Sequence, residues 1–135
     1  MVYKIEEIEG IGPVYGEKLR AAGIPNADIL LEKCYSKSGR ATVANETGID
    51  EKLILKWTNH ADLFRIDGVG PQFAELLEEA GVDTVKELRT RNAENLYAKI
   101  KEINEKKQLI RRLPSPEQIA TMIENAGRSE VRMTY

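Results

Sequence analysis

Scarcity is the first thing the sequence offers. There is one cysteine, Cys34, which excludes an intramolecular disulfide framework and any multi-thiolate zinc site, and fits a reducing compartment. His60 is the only histidine, so no imidazole pair or triad exists to ligate a metal or carry acid-base chemistry. No apolar run approaches the roughly 20 residues that cross a bilayer. The N-terminus lacks the basic-then-apolar design of a signal peptide, so the expectation is a cytoplasmic chain with no membrane partner. Neither sign of charge dominates: 20 Lys and Arg stand against 22 Asp and Glu, so any binding field has to be local. Asn45-Glu46-Thr47 matches a glycosylation sequon and, without a secretion signal, is read as chance.

What is present is a repeat. "IEGIGPVYGEKLRAAGI" at residues 8 to 24 returns as "IDGVGPQFAELLEEAGV" at residues 66 to 82. A shift of 58 positions lays Gly10 on Gly68, Gly12 on Gly70, Pro13 on Pro71, Tyr15 on Phe73, Leu19 on Leu77, Ala22 on Ala80 and Gly23 on Gly81. Tyr15, Leu19 and Ala22 fall at i, i+4 and i+7, as do Phe73, Leu77 and Ala80, so each copy predicts a helix with one apolar stripe. Proline at the first helical position and glycine after the last mark its ends. Asn26 and Thr84 read as caps of a following helix. Further helices are expected over residues 38 to 47 and 50 to 63, the latter with Ile54, Trp57, Ala61 and Phe64 on one stripe. Asn92 is expected to cap a helix burying Leu96, Ile100 and Ile103, and Ser115-Pro116 to open one burying Ile119, Met122, Ile123 and Ala126. The shift slips to about 65 there, which places an insertion in "AKIKEINEKKQLIRRL". No stretch alternates with period two, so no strand is predicted. The fold class expected is all-α, with one domain over residues 1–63 and a second over 64–135, joined rigidly through the helix at 50 to 63.

Gly10, Gly12 and Gly16 miss the dinucleotide spacing G-x-G-x-x-G by one residue, the second copy carries Ala74 in the third place, and no strand precedes either turn. "IEGIGPVYGEKL" and "IDGVGPQFAELL" instead resemble the helix-hairpin-helix pattern, in which glycines permit a tight reversal and leave amides at a helix N-terminus for an anion. The full length, with "TGIDEKLILKW" and "RRLPSPEQIATMIENA" as degenerate second hairpins, resembles a bacterial family of tandem helix-hairpin-helix domains of unknown function. That family is similar in turn to the N-terminal domain of strand-exchange recombinases and the C-terminal domain of the RNA polymerase alpha subunit. The resemblance implies two compact helical domains and a non-enzymatic, cofactor-free module binding nucleic acid, duplex DNA over RNA, through backbone phosphates.

Candidate binding residues follow. In the turns they are Gly10, Ile11 and Gly12, and Gly68, Val69, Gly70 and Gln72, with Ile11 and Val69 as the apolar plugs that anchor each corner. Val14 and Gln72 stand where phosphate-binding relatives carry a cation, and Glu6, Glu7 and Glu9 crowd the first turn. The second has Arg65 before it and Asp67 inside it. Six cations, Lys99, Lys101, Lys106, Lys107, Arg111 and Arg112, stand against Glu102 and Glu105 between residues 99 and 112, a stretch able to track phosphates. The other reading of that stretch is a solvated helix face, with Glu102 and Lys106 as an i, i+4 pair. Cys34 is expected to pack as a small hydrophobe, and His60 to sit half-exposed beside Trp57. No nucleophile, base and orienter assemble, so neither catalytic residues nor metal ligands are assigned. A protein-interaction or scaffold role, with the hairpins as structural corners, is the alternative. Valine at Gly68 or Gly70 is expected to destabilise the second half through positive φ. The alternation of Val131, Met133 and Tyr135 points to a C-terminal arm docked across the second domain rather than a loose tail.

Overall fold

The computed structural model describes residues 2–135, and among them every regular element is helical. A 3-10 turn at Ile5–Glu7 precedes α1 (Pro13–Ala21), α2 (Ala27–Cys34), α3 (Lys37–Thr47), α4 (Glu51–Leu63), α5 (Pro71–Glu79), α6 (Val85–Leu88), α7 (Ala93–Lys107) and α8 (Pro116–Arg128). One isolated antiparallel bridge, Lys4 to Asn26, is the nearest approach to a sheet. The described chain divides into two compact units, one running to Asp62 and taking in Arg132–Tyr135, the other Leu63–Val131.

Helix starts follow local chemistry. The side chains of Asn26, Ser36, Thr84, Asn92 and Ser115 each accept a hydrogen bond from the backbone N–H three residues on, satisfying a donor that the first turn leaves without an intrahelical acceptor. Gln118 completes the box at Ser115 by accepting from the Ser115 N–H at 2.8 Å. The apolar stripes bury at their centres: Leu19 and Leu77 lie at 0% and 1% exposure, each worth roughly 1.5 to 3 kcal/mol relative to an exposed side chain, while Tyr15, Ala22, Phe64, Ala80, Ile103 and Ile123, expected in the core, are half-buried at its margin.

Both copies of the repeated turn have the same backbone. Gly10 and Gly68 take φ of 91° and 90°, the left-handed region that glycine enters without penalty. Ile11 and Val69 follow, buried, their N–H groups donating to Ile8 and Ile66 at 3.1 and 3.0 Å. Gly12 and Gly70 are then the N-caps of α1 and α5, with φ of −85° and −100°. The expectation of positive φ therefore holds at Gly68 and fails at Gly70, because an N-cap sits in the extended region open to any residue. A Cβ on Gly68 would also lie 2.9 Å from Cε of Met122.

Arg40 is the one arginine buried among the described residues, at 3% exposure. Its Nη1 donates to the carbonyls of Cys34 and Tyr35, both at 3.0 Å, where α2 ends and the helix dipole favours a cation. Its Nη2 donates to the carbonyl of Thr134 at 2.8 Å. Arg132–Tyr135 thus groups with the first unit, which corrects the expectation of an arm across the second domain, because the buried Arg40 fork takes the Thr134 carbonyl; of the alternating residues Met133 is buried, while Val131 and Tyr135 are exposed.

His60 is fully buried, which corrects the half-exposed position read from the sequence. Residues 57 to 63 of α4 are all buried, so that part of the helix has no solvent face and encloses Thr58, Asn59 and Asp62 as well.

Substituting Gly68 by valine is expected to cost about 1 to 3 kcal/mol more than the same change at Gly70, since only the former forces a β-branched residue into left-handed backbone. Urea unfolding of the two variants measures the gap, and equal destabilisation would refute this account of the turn.

Candidate functional site

The two turns have the same backbone and different surroundings. Neither α1 nor α5 carries a side-chain cap on its N-terminal glycine, and Pro13 and Pro71 have no N–H. The amides of Val14 and Tyr15, and of Gln72 and Phe73, therefore stand in first turns where the helix supplies no acceptor. With Ile11 and Val69 buried, both turns offer a ligand their backbone and not these side chains.

At the first turn a groove of about 480 Å³ is lined by Glu6, Ile11, Gly12, Pro13, Glu17 and Arg20. Arg20 donates Nε and Nη2 to the two carboxylate oxygens of Glu6 at 2.7 and 2.6 Å. Those hydrogen bonds hold the Glu6 carboxyl down to about 2, so it stays ionised at any physiological pH. The pair lies against α1 where Gly16 has no side chain: a Cβ there would come within 2.6 Å of a Glu6 oxygen. A phosphate approaching this turn meets the Glu6 and Glu17 carboxylates, with the Arg20 guanidinium already engaged.

At the second turn a groove of about 760 Å³ is lined by Asp67, Gly68, Arg112, Gln118, Thr121 and Asn125, among others. This brings Arg112, a cation 44 positions away, to the glycine corner. The device that carries it there is the segment after α7. Gln108 ends α7 in left-handed backbone at φ 50°, donating to the Asn104 carbonyl at 2.8 Å. The Asn104 side chain then grips Ile110 at both backbone groups: Nδ2 donates to its carbonyl at 3.0 Å and Oδ1 accepts its N–H at 3.1 Å. Leu109, Ile110 and Leu113 pack against the apolar core of the second unit. Arg111 and Arg112 are left exposed between them.

The residues of this chain numbered 9–129 match the family described as Domain of unknown function (DUF4332). The chain belongs to that family. No curated protein and no solved structure matches it.

Of the cations read from the DUF4332 sequence as one stretch, the fold keeps only part together. Lys107 pairs with Glu79 at 2.8 Å, and that carboxylate holds its ammonium above the usual lysine range. Lys99 lines a different cleft, with Ala80, Thr90, Arg91 and Asn95. On α7, Lys101 stands about 200° round the axis from Lys99, whereas Lys106 returns to within about 20° of it. Arg65, read as a cation beside the second turn, donates Nη2 to the Glu130 carbonyl at 2.6 Å. Sequence reading missed Asn104 and Arg40; an amide clamp and a guanidinium on carbonyls have no local pattern to betray them.

Cys34 is fully buried, and burial first of all pushes its thiol up to about 11. The thiolate is the nucleophile, so at pH 8 a disulfide reagent should modify the native chain about a hundredfold more slowly than the unfolded chain. Above pH 9 the unfolded chain gives up this proton first, so stability falls as pH rises from 9 to about 11. Cys34→Ala should flatten that part of the stability profile relative to the wild type; an unchanged slope would contradict the assignment.

Proposed function

We propose that the second unit binds duplex DNA through backbone phosphates, with Gly68 and the first-turn amides of α5 forming a helix-hairpin-helix tip and Arg112 supplying the fixed charge beside it. The observation that carries this reading is the shared groove of Gly68 and Arg112. Peptide N–H groups at a helix start and a guanidinium are complementary to a phosphate's oxygens and charge, and contacts to phosphate carry no base information, so binding through them is independent of sequence. Gln118, Thr121 and Asn125 on α8 add polar side chains along the same groove, while Asp67 opposes the anion and limits affinity. Arg111, beside Arg112 in the loop that Asn104 clamps, extends the positive track.

The first turn plays a different part. Its Glu6 to Arg20 pair and the Glu17 carboxylate support a structural or protein-facing corner, and the exposure of Val14, 67% at the start of α1, favours a protein surface there. Under this reading the chain is a binding module and not an enzyme.

Fluorescence anisotropy against a labelled duplex, titrated at low and moderate salt, tests the assignment. Affinity should weaken steeply with salt, and Arg111→Ala with Arg112→Ala together should lower it about tenfold and flatten the log-log salt slope by about two. Lys99→Ala and Lys107→Ala, which lie away from the groove, should change it little. Absence of binding even at low salt would sink the nucleic-acid reading and leave the protein-facing one.

A further inference from the structure

The first unit carries a feature that the DNA reading does not use. Arg132–Tyr135 belongs to it as a short segment without regular secondary structure, held by several contacts. The Thr134 N–H donates to the Tyr35 carbonyl at 2.9 Å, and the Thr134 carbonyl accepts from Arg40 Nη2 at 2.8 Å. Met133 is buried at 5% exposure. The Arg132 guanidinium stands 5.6 Å from the Tyr35 ring centroid, and that of Arg40 stands 5.6 Å from the Tyr135 ring. The Tyr135 hydroxyl reaches Oδ1 of Asn59 at 3.5 Å.

Three points distinguish this place from ordinary packing. Arg40 is a buried charge whose Nη2 is aimed at a backbone carbonyl of the segment, a recognition that any extended peptide can satisfy. The segment inserts a single apolar side chain, so its release uncovers one methionine and frees the Arg40 and Tyr35 hydrogen bonds without opening a core. Beside Tyr135 the groove continues as a cavity of about 410 Å³, with Leu55 in its wall and Lys37, Asp50, Glu51 and Lys52 around it. The segment therefore fills only part of the available surface.

We propose that the Arg40 groove is a recognition site for an extended peptide with a cation, an apolar residue, a small residue and an aromatic in succession, occupied in cis by Arg132–Tyr135. The chain's own segment gates the site: while it is seated, an outside peptide of the same pattern competes with a tethered ligand. Apparent affinity falls by the fraction of molecules in which the segment is open.

A fluorescein-labelled peptide of sequence SEVRMTY is the probe, and the full-length chain is the receptor. Met133→Asp in the chain unseats the cis segment and leaves Arg40 in place. The labelled peptide should then bind about tenfold or more tightly than it binds the wild-type chain. Arg40→Lys in the Met133→Asp background should abolish that binding, because a single ammonium cannot span the Cys34, Tyr35 and ligand carbonyls. Circular dichroism confirms that each variant is folded; should Met133→Asp fail to fold, Thr134→Pro, which deletes the N–H donated to Tyr35, replaces it with the same readings. A folded unseated variant that binds the peptide no better than wild type overturns the proposal. So does peptide binding that survives the loss of Arg40.

Discussion

Left-handed backbone at Gly10 and Gly68 is the constraint on which both halves of the chain turn. A residue at φ near 90° reverses the chain within a few atoms, so Ile8 and Ile11, or Ile66 and Val69, drop side by side into a core while the next residue begins a helix. Glycine then occupies the N-cap in both copies, and neither first turn receives a side-chain cap. Burial of the plug and exposure of the amides are thus one geometric decision. What differs between the copies is the chemistry laid around that corner.

That difference is large. Shifted by 58 positions, Glu6 falls on Phe64, Gly16 on Ala74 and Arg20 on Glu78. The first copy fills its corner with an internal ion pair seated over a glycine, and an exposed pair of this kind contributes little to stability. The second copy receives at its corner a guanidinium from a loop inserted far along the chain. Duplication preserved the backbone and released the side chains, so function has to be argued separately for each half.

The helices, their caps and the apolar stripes were legible because each depends on residues within one or two turns: Asn26, Thr84, Asn92 and Ser115 act on the N–H three residues ahead. The two glycine corners were legible for the same reason, except that positive φ belongs to the first glycine of each pair and not to the second. What could not be read were contacts between distant positions. Arg40 to Thr134 spans 94 residues, Arg65 to Glu130 spans 65, and Arg89 to Gly127 spans 38. All three arginines use their planar fork on backbone carbonyls, for which any residue can be the partner, so composition carries no trace of them. Adjacency in sequence likewise says nothing of where the basic side chains go: Lys107 pairs with Glu79, while Lys99 and Arg112 line different clefts.

Chain connectivity adds a demand of a different kind. The first unit ends at Asp62 and resumes at Arg132, so during synthesis its final four residues arrive last. At 5 to 20 residues per second the intervening stretch takes roughly 4 to 14 s to be made. Throughout that interval the nascent N-terminal half holds the Arg40 guanidinium one carbonyl short and Met133's seat uncovered.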